Sequence, residues 1–287
     1  MAASARAALD AHAVRRDRVR THIVPTDRVW LRDSAPMGVL DADGHVVLLD
    51  WGFNAWAKYD NWRLDDQVGA AMARVTGLPR ITPAHPGGGA IVLEGGGIDV
   101  NGGGLMLVTE EWLLSDVQVR NPGLTRDDYE RVFAEWLGIR HTIWLGEGCV
   151  GDDTHGHVDD VARFVGSDTV VIAVEEDPSD ENHARSIDNV RRLEHASATD
   201  GVGPLRIVRL PFPRAVVMNG ERLPASYANF YIANGLVLVP TFNDASDRVA
   251  LTILADLMPA HRVVGIHAVD LVWGLGTLHC LTQQEPA

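Results

Sequence analysis

Lysine is almost absent from this sequence of 287 residues, in which Lys58 is the only one. A P-loop nucleotide site needs a lysine after its glycine-rich turn, and no glycine run of this chain is followed by one. Lys58 is also the single candidate for an enzyme that forms a Schiff base with its substrate. The sequence therefore excludes a P-loop nucleotide hydrolase and gives little support to lysine chemistry.

Cysteine is scarce as well, with Cys149 and Cys280 as the two thiols. Two cysteines allow one disulfide, but a cytoplasmic setting favours free thiols. No apolar run reaches the length of a membrane span, and the N-terminus lacks the apolar core of a signal peptide. We therefore predict a cytoplasmic protein in which Cys149 is a packing residue.

Positive charge is in deficit, because 25 lysines and arginines face 39 aspartates and glutamates, a net charge of −14. An acidic chain without a basic stripe is not expected to bind nucleic acid or an anionic membrane. A small cationic substrate suits this charge balance better.

What the sequence does contain is a recurring pattern, an apolar strand followed by an amphipathic helix and a second apolar strand. Short polar signatures accompany it at 30–33 (WLRD), 94–97 (EGGG), 157–159 (HVD), 229–231 (NFY) and 279–280 (HC). Their spacing of roughly 50–70 residues is typical of toroidal or solenoid repeats. A ring of such units would turn one polar end of each towards a shared site. We predict a single α/β domain over residues 1–287. The predicted strands are 46–51, 90–93, 105–109, 141–145, 158–165, 169–175, 205–210, 230–233, 236–240 and 262–267, and the predicted helices are 64–76, 126–137, 181–197 and 246–258.

Cys280, close to the C-terminus, is the first candidate for a reactive group. A cysteine in an apolar strand is more often an inert packing residue, and it becomes a nucleophile only beside an acid–base partner. That partner is expected from a distant part of the sequence. The neighbouring His279 would point to the opposite face of a strand, so we predict a structural role for it.

A polar cluster at residues 151–160 contains the histidine that best fits such a partner. On a strand, His157 and Asp159 would share a face and present an imidazole and a carboxylate to one ligand. A core histidine with satisfied hydrogen bonds is the ordinary alternative for His157. His155, His157 and Asp159 also have the chemistry of zinc ligands, which leaves a zinc hydrolase as a second hypothesis.

Two further carboxylates lie where a strand gives way to a turn. Asp33 precedes Ser34, Ala35 and Pro36, and its ordinary role there is a cap or an Asx turn. Glu94 precedes the glycine run 95–97, which predicts a tight turn with close backbone approach. Each is either a surface residue or a carboxylate placed for binding.

Taken together, these segments resemble the family of agmatine deiminases and bacterial-type peptidylarginine deiminases. The similarity extends over nearly the whole chain and keeps the order of the family's motifs. The matching segments are 30–36 (WLRDSAP), 51–56 (WGFNAW), 93–97 (LEGGG), 109–114 (TEEWLL), 151–165 (GDDTHGHVDDVARFV), 229–241 (NFYIANGLVLVPT) and 276–284 (GTLHCLTQQ).

This resemblance implies a pentein-like five-bladed α/β propeller and the hydrolysis of a guanidine without metal or cofactor. It implies that Cys280 is the nucleophile and that His157 is the general acid and base, oriented by Glu94. The physical chemistry agrees, since the carbon of a guanidinium is a poor electrophile and covalent attack divides one difficult step into two.

The resemblance also implies how the substrate is bound. Asp33 and Asp159 would hold the guanidinium, whose planar donors match carboxylates well. Trp30 and Asp153 would shape the rest of the pocket. The expected substrate is agmatine, with ammonia and a ureido compound as products, and a homodimer is expected by analogy with the family.

Several positions depart from the family pattern. Asp153 replaces a glutamate that is common in the agmatine-specific enzymes, and His155 replaces an acidic residue. Leu275 stands where the family has a glycine, and the segment 57–62 lacks the usual glycine and proline. The family's first strand, expected beside the strand that carries Cys280, has no counterpart before residues 5–25, which predicts an incomplete closing blade.

Three alternatives to an agmatine deiminase follow from these observations. A peptidylarginine deiminase would use the same chemistry in a more open cleft. The zinc hydrolase would lose its activity to a chelator. An incomplete last blade would leave a protein that binds guanidines weakly and turns them over poorly.

Overall fold

A computed structural model describes residues 2–85, 88–199 and 201–286. The chain repeats one unit, in which an antiparallel pair of strands is followed by a helical crossover and a third strand parallel to the second. A parallel neighbour requires such a crossover, and the helix covers one face of the sheet. Four three-stranded sheets have this topology, and the described residues form no closed sheet.

The strands of these sheets lie in chain order. The four sheets are β1 (Met37–Leu40), β2 (Val46–Leu49) and β3 (Arg80–Ile81); β4 (Asp99–Val100), β5 (Leu105–Thr109) and β6 (His141–Leu145); β7 (Ala162–Phe164), β8 (Thr169–Val174) and β9 (Arg206–Pro211); and β12 (Tyr231–Ala233), β13 (Leu236–Thr241) and β14 (Arg262–His267), while β10 (Val217–Met218) and β11 (Glu221–Arg222) form a separate hairpin.

Helices fill the crossovers and the segments between units. They are α1 (Ala2–Ala11), α2 (Leu31–Ser34), α3 (Val68–Thr76), α4 (Glu110–Leu114), α5 (Arg126–Leu137), α6 (Glu181–Ser197), α7 (Ser246–Leu257) and α8 (Val269–Val272). Among the described residues, no helix is long and apolar enough to cross a membrane.

The second unit shows why the sequence folds in this way. Every side chain of β5 is buried, because the strand lies between two partners and is covered by a helix. Thr125 and Asp128 form a reciprocal capping box at the start of α5, and Gly138 ends that helix with a left-handed φ of 66°. These local signals fix the crossover that returns the chain to β6.

Most predicted elements are confirmed, and α5, α6, β5, β6 and β14 have the predicted bounds. Three predictions are wrong. Residues 90–93 form only isolated bridges, through Ala90 and Val92, and residues 158–165 divide into the 3-10 turn Val158–Asp160 and strand β7. The third is the strand predicted around Cys280, which lies in a turn at 278–281.

The described residues before Met37 contain no strand, as expected from the sequence.

Candidate active site

The polar signatures occupy equivalent places in the repeated units. Asp33 lies just before β1, Glu94 before β4, His157 and Asp159 before β7, and Asn229 before β12. The repeat brings these segments together, and the turn that carries Cys280 joins them through the hydrogen bond from the Arg32 amide to the Cys280 carbonyl (3.0 Å). One buried cluster therefore collects polar residues from most of the chain.

Asp33 is a buried carboxylate held by two donors. Its Oδ1 accepts a hydrogen bond from the Gly96 amide (3.0 Å), and its Oδ2 accepts one from the Trp56 indole (3.0 Å). Burial raises the pKa of Asp33, an effect that the positive charge of His157 opposes. The Asp33 carboxylate is thus placed inside the protein rather than at a surface cap.

Glu94 is fully buried and ionised. Arg120 donates to its Oε1 (3.0 Å), and the Trp112 indole donates to its Oε2 (2.6 Å). Burial alone would raise its pKa, but the positive charges of Arg120 and His157 lower the pKa of Glu94 to about 2. The result is a fixed negative charge behind the His157 ring.

His157 lies between these two carboxylates. Its Nδ1 is 3.9 Å from Asp33 Oδ1, and its Nε2 is 3.6 Å from Glu94 Oε2. No described residue forms a hydrogen bond with this Nε2. Burial opposes protonation of the ring, yet the charges of Asp33, Glu94 and Asp159 raise the pKa of His157 to about 9. At neutral pH the ring is therefore an imidazolium.

Gly96 forms the floor on which these side chains meet. A β-carbon at this position would lie 2.5 Å from His157 Nδ1, 3.0 Å from Asp33 Oδ1 and 3.2 Å from Asp159 Oδ2. Only glycine allows the backbone to approach the cluster so closely. The glycine run that follows Glu94 is thus a requirement of the site's geometry.

Cys280 and Asp159 form the other side of the cluster. The Cys280 thiol lies 3.6 Å from Asp159 Oδ2, and the Asn229 amide donates to the sulfur at 3.2 Å. Asp159 Oδ2 also accepts a hydrogen bond from His279 Nδ1 (2.7 Å), whereas the buried Oδ1 has no partner among the described residues. A buried carboxylate oxygen without a donor marks a place for a donor from outside the protein.

The charges in this half of the site oppose ionisation of the thiol. Burial raises the pKa of Cys280 well above its usual value, and the carboxylates of Asp159, Asp160 and Asp33 raise it further. Without a bound cation, Cys280 is therefore a neutral thiol. A positively charged ligand beside these carboxylates would reverse the balance.

A cavity of about 260 Å³ leads from this cluster towards the surface. Cys280 and Asp33 lie at its buried end, and Trp30 lines it with its ring packed against Gly274 and Gly276. Asp153 lies at the half-exposed end, where it accepts a hydrogen bond from the Tyr59 hydroxyl (2.7 Å) and pairs with Lys58. The cavity connects the two ends of the predicted site.

The expectation that His157 and Asp159 share the face of a strand is wrong. Asp159 lies in the 3-10 turn that follows His157, and the two side chains meet around Gly96. The prediction that His279 points away from Cys280 on a strand is also wrong, whereas its structural role stays a prediction. Because the chain turns at 278–281, both His279 and Cys280 approach Asp159.

The zinc alternative required His155 to join His157 and Asp159. Instead, His155 Nε2 lies 2.9 Å from Ser115 Oγ, and its Nδ1 lies 3.9 Å from Glu111. Among the described residues, the one group with metal-ligand spacing is Asp41, Asp43 and His45, on an exposed turn. The predicted zinc ligands therefore do not converge on one point.

Sequence reasoning missed several residues that hold the cluster. Asn229 appeared only as part of a polar signature, and its contact with the Cys280 sulfur depends on the fold. Trp56 and Trp112, which donate to Asp33 and Glu94, belonged to motifs without an assigned role. Arg120 had no signal at all, because no sequence pattern indicates that it pairs with a buried glutamate.

The arrangement offers a sulfur nucleophile, an imidazolium and buried carboxylates at the closed end of a cavity. Carboxylates of this kind suit a cationic ligand with planar donors. The imidazolium can donate a proton to a leaving group and later accept one from water. Such a set fits nucleophilic displacement at a cationic carbon centre.

Known proteins show the same organisation. The family model described as Porphyromonas-type peptidyl-arginine deiminase matches residues 1–286. The agmatine deiminase of Ectopseudomonas mendocina (strain ymp) is 37% identical over 295 residues, covering 94% of this chain and 78% of the relative.

Solved structures agree with the sequence match. A C. jejuni agmatine deiminase variant with substrate bound has a TM-score of 0.85 and 27% identity, covering 96% of this chain and 79% of the other. The agmatine deiminase of Enterococcus faecalis has a TM-score of 0.82 and 32% identity, with coverage of 90% and 74%. The chain therefore belongs to the Porphyromonas-type peptidyl-arginine deiminase family.

Proposed function

We propose that this protein hydrolyses a guanidinium substrate, agmatine, to N-carbamoylputrescine and ammonia. One observation carries the proposal above the others: the Cys280 thiol faces a buried carboxylate, Asp159, whose second oxygen accepts no hydrogen bond from any described residue. The relatives named agmatine deiminase support the choice of substrate. A cavity of about 260 Å³ suits a small molecule better than a peptide segment.

In this proposal, the guanidinium lies between Asp33 and Asp159 at the closed end of the cavity. Its N–H groups supply the donor that Asp159 Oδ1 lacks. Its positive charge offsets the carboxylates that raise the pKa of Cys280. The thiol loses its proton to solvent as the cation binds, so that substrate binding itself creates the thiolate.

The first half of the reaction releases ammonia. The thiolate forms a bond to the guanidinium carbon and gives a neutral tetrahedral adduct. His157, an imidazolium at neutral pH, donates its proton to one amino group, which leaves as ammonia. A cationic thiouronium bonded to Cys280 remains, held by the two aspartates.

The second half regenerates the enzyme. Neutral His157 removes a proton from a water molecule, whose oxygen forms a bond to the thiouronium carbon. The carbon–sulfur bond then breaks, Cys280 leaves as thiolate, and the hydroxyl proton of the ureido product passes to the released ammonia. When the product leaves, the thiolate takes back from solvent the proton that it lost on substrate binding. The sum is guanidinium plus water giving a urea plus ammonium, so that atoms and charge balance.

Several side chains act by positioning the reacting groups. Glu94 keeps a negative charge beside His157, and it is itself fixed by Arg120 and Trp112. Trp30 walls the cavity, and Asp153 lies where the far end of the substrate would reach. In this proposal, no step requires a metal or a cofactor.

We extend the proposal to the architecture, as a single five-bladed domain over residues 1–287. The four repeated sheets supply four blades. The segments before β1 and after β14 would share the fifth place, since Arg32 hydrogen-bonds the side chains of Gln283 and Gln284 (2.9 and 2.7 Å).

Ammonia release from agmatine tests the proposed function. We expect turnover by the unaltered chain in the presence of EDTA, and its loss in Cys280→Ala with agmatine binding retained. Cys149→Ala is the matched control, because Cys149 is a buried thiol that packs with Ala173, Phe212 and Ala228. Agmatine binding without ammonia release by the unaltered chain would refute the enzyme and support a guanidine-binding protein.

A further inference from the structure

The only lysine of the chain pairs with a residue at the far end of the cavity. Lys58 forms an ion pair with Asp153 Oδ1, and the Tyr59 hydroxyl donates to Asp153 Oδ2 at 2.7 Å. Burial raises the pKa of Tyr59, its hydrogen bond to Asp153 raises it further, to about 12, and the phenol therefore keeps its proton. Both oxygens of Asp153 are thus occupied by donors of the protein.

A left-handed turn places these donors. Ala55, Trp56 and Ala57 have φ values of 50°, 58° and 53°, a conformation that is costly for residues other than glycine. This turn directs the Trp56 indole to Asp33 at one end of the cavity and is followed by Lys58 and Tyr59 at the other. The placement of Lys58 beside Asp153 therefore follows from the fold of this turn.

One cation, that of Arg28, lines this end of the cavity. The Arg28 guanidinium stacks over the Tyr59 ring at 4.6 Å and donates to the Asn61 side-chain oxygen at 2.9 Å. Asp65, 3.6 Å away, offsets its charge. Asp153 is the only carboxylate among the described residues that line this end, and Lys58 already neutralises it.

We infer that Lys58 determines specificity by occupying Asp153 from the protein side, which weakens the binding of guanidines that carry a second ammonium at their far end. The inference rests on the proposed function and concerns the tail of its substrate. A tail ammonium must displace Lys58 or lie against a neutral ion pair. An uncharged tail meets no such competition, because it requires no carboxylate.

The test compares two ligands that differ only at the tail. Agmatine ends in an ammonium, and pentylguanidine has a methyl group in the same place. Calorimetry on the Cys280→Ala background measures both dissociation constants without turnover. We expect Lys58→Met to raise the affinity for agmatine relative to pentylguanidine by about twofold to fivefold, within the range of an exposed ion pair.

Three variants separate this effect from a structural one. Lys58→Arg should keep the original ratio, since it preserves the charge beside Asp153. Arg209→Met removes a cation that pairs with Glu176 on the exposed surface, and it should leave the ratio unchanged. Adding Asp153→Asn to Lys58→Met should abolish the gain, because the freed carboxylate is then gone.

In the chain that retains Cys280, the same comparison uses kcat/KM for agmatine divided by kcat/KM for pentylguanidine. We expect the change in this ratio to come from KM. An agmatine to pentylguanidine ratio that Lys58→Met leaves unaltered would overturn the inference. A ratio that shifts in binding while no variant releases ammonia would support the role of Lys58 and refute the proposed deiminase. The two failures are therefore distinguishable.

Discussion

At the scale of single residues, the site is a set of buried charges that change one another's ionisation. Glu94 is ionised because Arg120 and His157 overcome the cost of its burial. Cys280 is not ionised, because burial raises its pKa and the nearby carboxylates raise it further. The same physical rule, an opposite charge favouring ionisation and a like charge opposing it, accounts for both states.

His157 gives the first residue-scale prediction. Burial favours the neutral ring, yet Asp33, Glu94 and Asp159 raise its pKa to about 9 from an ordinary value of 6.5. We expect the nitrogen signals of this ring, followed by NMR in the ligand-free protein, to titrate with a midpoint near that value. Asp33→Asn should lower the midpoint, because it removes a carboxylate 3.9 Å from Nδ1.

The sign of the linked stability follows directly. A pKa raised on folding contributes stability that is complete below pH 6.5 and is lost as the pH rises through about 9. Asp10→Asn, on the exposed helix α1, is the control that should leave the midpoint unchanged. A midpoint near the ordinary value in the unaltered chain would contradict this account of the site.

Much of this residue set was predictable from the sequence, but the residues that hold it in place were not. Cys280, His157, Asp33 and Glu94 lie in short motifs whose residue types indicate chemistry, and the structure brings them into one cluster. Arg120 and Asn229 act by contacts across 26 and 51 positions in the sequence, to Glu94 and Cys280. No periodicity records such contacts, so sequence reasoning had no means to find them.

At the scale of elements, the loop before His157 is held by one aspartate. Asp152 Oδ1 accepts hydrogen bonds from the Thr154 amide and hydroxyl, and Oδ2 accepts from the Gly156 and His157 amides (2.8 and 3.0 Å). Such a turn fixes the backbone from which the imidazole projects. The position of His157 thus depends on a carboxylate outside the reacting cluster.

We expect Asp152→Ala to lower kcat for agmatine by about tenfold to a hundredfold, because a small displacement of His157 disturbs proton transfer. Thr125→Ala is the matched comparison, since it removes the cap of α5, far along the chain from the loop, and should cost about 1 kcal/mol of stability without lowering kcat. Steady-state kinetics and urea unfolding measure both. A loss of stability in Asp152→Ala with kcat unchanged would contradict the positioning role.

The elements themselves were predicted unevenly, for physical reasons. Helices α5 and α6 carry side-chain caps at their N-termini, so their first residues were legible in the sequence. Residues 90–93 form an apolar run, and residues 158–165 are mostly buried although they include Asp159, Asp160 and Arg163, so that neither composition nor burial distinguishes a strand from an irregular segment there. The strand predicted around Cys280 was wrong as well, because residues 278–281 form a turn. The predicted orientation of His279 was wrong for the same reason.

At the scale of the whole molecule, the repeated unit explains why the site exists. Each unit delivers the segment before its first strand to a common centre, so that residues far apart in sequence meet there. The recurring polar signatures predicted this convergence, although sequence identity between the units is poor.

This organisation predicts that one ligand stabilises distant parts of the chain together. In Cys280→Ala, agmatine at about 100 times its dissociation constant should raise the free energy of unfolding by about 2.7 kcal/mol. Hydrogen exchange should slow at the amides of Arg32, Gly96 and His279, which donate to Cys280, Asp33 and Asn229 respectively. Helix α1 supplies no residue to the site, so its amides are the internal control and should exchange as before. Protection limited to one of the three positions would mean that the ligand does not bridge the units. Protection at all three would support a site that forms only when the units are assembled around it.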